Sequence, residues 1–147
     1  MGQLRKRLGS ASNVGLDTTV FIYHFEKHPI YSSLTQEILS SIEKGVRKGI
    51  TSSITLMEII VKPLSMGRND IGRKYEALLM NFPNLEVVDI DRDVIRQAAR
   101  LRAEYRLRPP DALQVSACLL GGAEVNVTND RQLNRLKEKM NIVILED

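Results

Sequence analysis

Five short runs rich in β-branched residues recur along the chain, and all but the last are followed by longer stretches with helical spacing. That alternation restricts the fold more than any other feature, because strands joined through helices pair most readily as parallel neighbours in one sheet. The runs are Val14 to Asp17, Gly49 to Ser52, Glu86 to Ile90, Glu124 to Thr128 and Ile142 to Leu145. Helices are expected over Thr19 to Phe25, Ser33 to Arg47, Ile54 to Ser65, Asn69 to Asn81, Val94 to Tyr105, Pro110 to Leu120 and Arg131 to Lys139. Pro109-Pro110 opens the sixth of these and Gly121-Gly122 closes it. The expected architecture is therefore α/β, with three layers and a central, mainly parallel sheet of about five strands.

A chain of 147 residues, 43% of them hydrophobic, suits one domain with a true core. Met1 to Asn13 carries charge with no apolar run behind it, so it reads as a loose basic arm before a single domain over residues 14–147. The longest apolar run, "VSACLL", is too short to span a bilayer, and a single cysteine rules out an internal disulfide framework. Both point to a cytoplasmic protein with no membrane partner. Cys118 lies in an apolar helix and is expected in the core. The net charge of +3 leans towards a polyanionic partner.

In an open parallel sheet, ligands bind at the carboxyl ends of the strands, where the following helices also begin. Four acids fall on that edge: Asp17 ends the first strand, Glu58 lies in the first turns after the second, Asp111 opens the sixth helix, and Asp130 follows the fourth strand. Two carboxylates repel by about 4 kcal/mol at about 4 Å and an effective dielectric of about 20. Such a group persists if some members hold protons or if a divalent cation is bound. With no histidine or cysteine among the four, Mg²⁺ or Mn²⁺ suits the set better than zinc.

Each acid also fits a local structural role. Asp17 and Asp130 stand where helix caps stand, and Asp111 suits the positive end of its helix. Glu58 completes a Thr55-x-x-Glu58 capping box if the helix starts at Thr55, whereas a start at Ser52 or Ser53 places it inside. The other carboxylates scatter. Glu37, Glu43, Glu76, Glu104 and Glu138 sit beside basic residues on helices. In "DIDRD", Asp91 is expected to cap the next helix and Asp93 to lie in its first turn, although Asp89, Asp91 and Asp93 also form a rival cation site.

The segments "LDTTVFIY", "SSITLMEII", "RPPDALQVSA" and "VTNDRQL" together resemble the PIN-domain ribonucleases, most closely the VapC-type toxins of prokaryotic toxin–antitoxin pairs. The resemblance runs from Val14 to the C-terminus and implies a metal-dependent endoribonuclease. It places Asp17, Glu58, Asp111 and Asp130 on the family's acidic quartet, with Asp17, Asp111 and Asp130 on the metal. Thr19 and Thr128 fall on supporting polar positions, and Asn129 stands beside Asp130 as a rival for the metal. Family toxins are commonly homodimers silenced by a small antitoxin in the active-site groove. For the RNA, Arg131 is expected to contact phosphate, and Arg68, Arg73 and Lys74 to grip it from the rim. Arg100, Arg102, Arg106 and Arg108 suit either phosphate or a protomer contact.

Three other classes compete. His24 and His28 are four apart, but the intervening Glu26 sits at the wrong offset for the zinc-protease motif. Asp17 as a phosphorylated residue of a receiver- or phosphatase-like domain lacks a neighbouring second acid, since Thr18 and Thr19 stand there. A PIN-fold module that binds RNA or protein without turnover has no need to keep four repelling carboxylates together.

Overall fold

The computed structural model describes residues 2–147. Five parallel strands form one sheet in the order β3-β2-β1-β4-β5: β1 Asn13–Leu16, β2 Lys48–Ser52, β3 Leu85–Val88, β4 Val125–Thr128 and β5 Asn141–Ile144. Seven helices accompany them: α1 Gly2–Leu8, α2 Thr18–Phe25, α3 Ser32–Glu43, α4 Ser53–Ser65, α5 Asn69–Met80, α6 Arg92–Tyr105 and α7 Pro109–Leu120. The expected α/β sheet flanked by helices is therefore what the chain forms.

Alternation along the strands sorts the core into two layers. Val14, Leu16, Val125, Val127, Val143 and Leu145 face the layer that holds α1 to α5. Ile50, Ile142 and Ile144 face α6 and α7, where Leu101, Val115 and Cys118 wait. Between these faces Gly15 has a specific duty. A Cβ there would lie 2.7 Å from Asn126 Oδ1 and 3.1 Å from Cys118 Cβ, so glycine lets α7 press against β1. Cys118 is fully buried and its thiol is pushed up to about 12 by that burial, as suits a core residue.

Three expectations need correction. Residues 2–8 are no loose arm but a helix whose Leu4 and Leu8, one turn apart, are buried in the core while Arg5 and Lys6 stay in water. Arg47 ties the following loop down by donating to the carbonyls of Ala11 and Gly9, at 2.5 and 3.0 Å. Met1 lies outside the described residues. The helix expected to reach Arg47 stops at Glu43, because Gly45 takes φ +80° and Val46 N–H turns back to Ser41 O, a left-handed terminus. After β4, Arg131–Leu136 winds as a 3₁₀-helix, not as an α-helix to Lys139.

Strand order places β1 between β2 and β4, the strand at which the chain reverses its direction of travel across the sheet. Crevices form beyond the carboxyl ends at such points. Asp17 follows β1 itself, and Asp130 follows β4 beside it.

Candidate active site

The acids are positioned by the same devices that form the local structure. Asp17 caps α2: one carboxylate oxygen accepts the Thr18 N–H at 2.8 Å, and the other accepts the Thr128 hydroxyl at 2.6 Å. Asp130 caps the 3₁₀-helix through Gln132 N–H at 2.9 Å, with its own N–H on Thr128 Oγ1 at 3.1 Å. Cap and functional readings are thus compatible, since a carboxylate oxygen that accepts one hydrogen bond keeps a second lone pair. Thr128 joins the two acids.

Glu58 is not part of a capping box. Ser52 caps α4 through Ile54 N–H, so Glu58 falls inside the helix and accepts the Thr18 hydroxyl at 2.7 Å. Thr18 thus holds Glu58, and among the described residues the enclosed Thr19 hydroxyl has no hydrogen-bond partner. Asn129 is committed elsewhere. Its Oδ1 accepts Glu146 N–H at 2.9 Å and its amide donates to the Tyr23 hydroxyl at 3.3 Å, which leaves Asp130 to face the cleft.

Beneath the acids lies a buried polar floor that sequence reasoning missed. Gln114, only 3% exposed, donates to Leu16 O at 2.8 Å and to Thr51 Oγ1 at 2.9 Å, and its carbonyl accepts from Ser52. Thr51 continues to Thr55 at 2.7 Å, and Thr55 to Thr18 at 3.2 Å. Gln114 satisfies the last carbonyl of β1 and so ties the first turns of α7, with Asp111, to the strand that ends in Asp17. The legible signal was a lone amide three residues after Asp111 in an otherwise apolar helix.

Electrostatically the four acids form one neighbourhood. Burial above all pushes the Asp17 carboxyl up, the charges of Asp111 and Glu58 add to it, and the hydrogen bonds from Thr128 and Thr18 oppose it, with the balance at about 6. Among the described residues, one cation answers two of them. Arg108 Nε donates to Asp111 at 2.9 Å, and its guanidinium lies 3.6 Å from Asp130. As to fit, the donor set is all oxygen and short of counter-charge, which suits a hard divalent ion in kind. Among the described residues no three carboxylate, histidine or cysteine groups are drawn up as a ready-made metal cluster.

The remaining candidates separate. Arg131 pairs with Asp147 at 2.6 Å and Glu146 at 3.5 Å. Arg68 pairs with Asp70 and lines a groove of about 290 Å³ that runs between α2, α4 and α5 up to Glu58. Lys74 belongs to another hollow, beside His24 and Glu43, and Arg73 is exposed on α5. Of Arg100, Arg102, Arg106 and Arg108, only Arg108 pairs with the acids; Arg102 donates to Leu107 O, which pins the loop before α7. The "DIDRD" run forms no shared site: Asp91 caps α6 through Val94 N–H, and Asp93 pairs with Arg96 at 2.7 Å. His28 accepts Ile30 and Tyr31 N–H groups through Nδ1 and packs on Tyr23 and Tyr31, a turn residue rather than half of a zinc pair.

The sequence profile described as PIN domain matches residues 14–139. Among solved structures, the fold resembles the crystal structure of VapBC2 from Rickettsia felis bound to a promoter DNA fragment, at TM-score 0.67 and 21% identity over 88% of this chain and 96% of that one. It also resembles DNA-bound VapBC from Salmonella typhimurium, at TM-score 0.63 and 25% identity over 90% and 98%. FitAcB from Neisseria gonorrhoeae is similar at TM-score 0.67 and 15% identity, over 90% and 98%. A sequence comparison with curated proteins found no match. No helix among the described residues is long and apolar enough to cross a membrane.

Proposed function

The chain belongs to the PIN-domain family, and on that premise we propose that it is a divalent-metal-dependent endoribonuclease, the VapC-type toxin of a toxin–antitoxin pair. The observation that carries this reading is Asp17. A carboxyl at the reversal point of the sheet, pushed up to about 6 by burial with Asp111 and Glu58 adding to the strain, is costly unless a cation or proton offsets it.

Asp17, Asp111 and Asp130 would hold Mg²⁺ or Mn²⁺, and the bound ion supplies the charge that orients a phosphodiester and makes water a better nucleophile near neutral pH. Thr128 aims both Asp17 and Asp130, so the strand end and the 3₁₀-helix act as one support. Glu58, held by Thr18, stands ready to orient the attacking water and take its proton. In-line attack would leave a 5′-phosphate and a 3′-hydroxyl, with no use of the RNA 2′-hydroxyl. Arg68 on the groove rim is placed to meet a phosphate once it exchanges Asp70 for the substrate, whereas Arg131 must first leave Asp147.

The groove fits the partner that this reading carries, a small antitoxin. Ile22, Phe25, Ile59, Met66 and Tyr75 give it apolar walls beside Glu58, and the solved neighbours are complexes of toxin with antitoxin. A homodimer and a cytoplasmic setting complete the proposal.

The test is cleavage of end-labelled structured RNAs by the pure protein in EDTA, Mg²⁺ or Mn²⁺, beside Asp17→Asn and Asp111→Asn. Cleavage that needs metal, leaves 5′-phosphates and disappears in both variants is the expected result. Equal cleavage by wild type and variants would sink the reading, and tight RNA binding without cleavage by any protein would favour the non-catalytic PIN module.

A further inference from the structure

Arg108 is the one cation seated on the quartet among the described residues, and its seat is built rather than incidental. Its backbone is fixed from both sides: Leu107 before it is buried and its carbonyl accepts Arg102 Nε at 3.0 Å, while Pro109 and Pro110 after it stiffen the start of α7. Arg106 holds a left-handed turn at φ +57°, which directs the chain into this corner. From that fixed Cα the side chain reaches Asp111 at 2.9 Å and Asp130 at 3.6 Å, two acids supplied by different elements. The side chain is nevertheless 67% exposed, so it can leave the acids without disturbing any packing.

Two facts then conflict if a divalent ion binds. Asp111 and Asp130 are both expected among its ligands, and the atom through which each meets Arg108 is a free carboxylate oxygen: Asp111 Oδ2 and Asp130 Oδ2, the latter opposite the oxygen engaged in capping. A guanidinium and a metal ion compete for the lone pairs of those oxygens, and their charges repel. We propose that Arg108 is a resident counter-ion of the metal-free site, one that competes with the divalent cation for Asp111 and Asp130 and must swing outward for the cation to enter. The inference rests on the metal-dependent reading of the site and adds to it a control that the chain itself supplies. Asp111 and Asp130 are kept partnered while no metal is bound, metal affinity is set below what four bare carboxylates would give, and the released guanidinium is left at the rim. Arg108 is a positioning residue in this account, not a catalytic one.

The two possible roles of Arg108 predict opposite signs. If it competes, Arg108→Ala binds Mn²⁺ more tightly; if it merely braces the acids, the same change loosens them and weakens binding. The experiment is Mn²⁺ titration of wild type, Arg108→Ala, Arg108→Lys and Asp111→Asn, with free Mn²⁺ read by electron paramagnetic resonance and melting temperature followed in parallel. Expected are an affinity gain on the order of tenfold for Arg108→Ala, near-wild-type affinity for Arg108→Lys, and a larger Mn²⁺-induced rise in melting temperature for Arg108→Ala. Unchanged or weaker Mn²⁺ binding by Arg108→Ala, with binding by wild type intact and lost in Asp111→Asn, would overturn the counter-ion role and leave the metal site standing. Absence of Mn²⁺ binding in every protein would instead remove the metal-dependent reading and this inference with it.

Discussion

Two acidic regions of the molecule are alike in composition and opposite in condition. After β3, Asp89, Asp91 and Asp93 crowd into five residues, yet Asp91 caps α6, Asp93 pairs with Arg96 and Asp89 faces solvent. Around the ends of β1 and β4, acids drawn from positions 17 to 130 act on one another, Asp111 and Glu58 raising Asp17, and among the described residues only the guanidinium of Arg108 pairs with Asp111 and Asp130. Carboxylates that each find their own partner stabilise structure; carboxylates gathered with too little counter-charge are maintained at a cost. The second condition is the one that calls for a ligand.

The sharpest way to break this contrast is to neutralise one acid from each region. Asp17→Asn and Asp111→Asn should lower metal-dependent RNA cleavage by roughly 100-fold or more, whereas Asp93→Asn should leave it within about twofold. Asp91→Ala should likewise spare cleavage but cost about 1 kcal/mol through the lost cap, as read by urea denaturation. Comparable losses from both regions would erase the distinction.

Gln114 sharpens the contrast from below. Replacing it with Leu keeps the volume but takes one donor each from Leu16 O and Thr51 Oγ1 and leaves the Ser52 hydroxyl without its acceptor, so stability should fall by about 1–3 kcal/mol, measured as a lower urea midpoint with an unchanged slope. A near-neutral result would mean that the polar floor does not tie α7 to β1.

Stability against pH separates the regions next. Asp17 titrates at about 6 in the folded chain against an ordinary 3.8, so the folded state holds its proton more tightly than the unfolded one. Metal-free stability should therefore be highest below about 4, fall by up to about 3 kcal/mol as pH rises to about 6, and level off above it. Asp17→Asn should flatten that fall, and saturating Mn²⁺ should oppose it. The smallest effect is expected at Arg131. Its ion pairs with Asp147 and Glu146 are exposed, so Arg131→Ala should move the melting temperature by no more than about 2 °C.

The cleft acids were readable in the sequence because a parallel sheet puts every strand exit, and every following helix start, on one edge. Their supports were less so. Thr18 and Thr19 are adjacent and chemically identical, and which hydroxyl meets Glu58 depends on where Asp17 caps α2 and how α4 lies against it. The start of α4 at Ser53, and with it the position of Glu58 inside the helix, turned on which of Ser52, Ser53 and Thr55 serves as the cap. The N-terminal helix was hidden because its many charges mask the Leu4 and Leu8 pair, whose burial needs a surface supplied by distant parts of the chain.

The sequence by itself determined the strand and helix alternation, the parallel sheet and the edge on which Asp17, Glu58, Asp111 and Asp130 lie, because these follow from local periodicity and chain direction. Only the tertiary structure decided that Gln114 underpins the cleft, that Asn129 turns away while Asp130 faces in, and that Arg108 rather than its neighbouring arginines sits on the acids. Each of those outcomes depends on distances between elements far apart in the chain, where ångström differences in packing select one hydrogen bond over another.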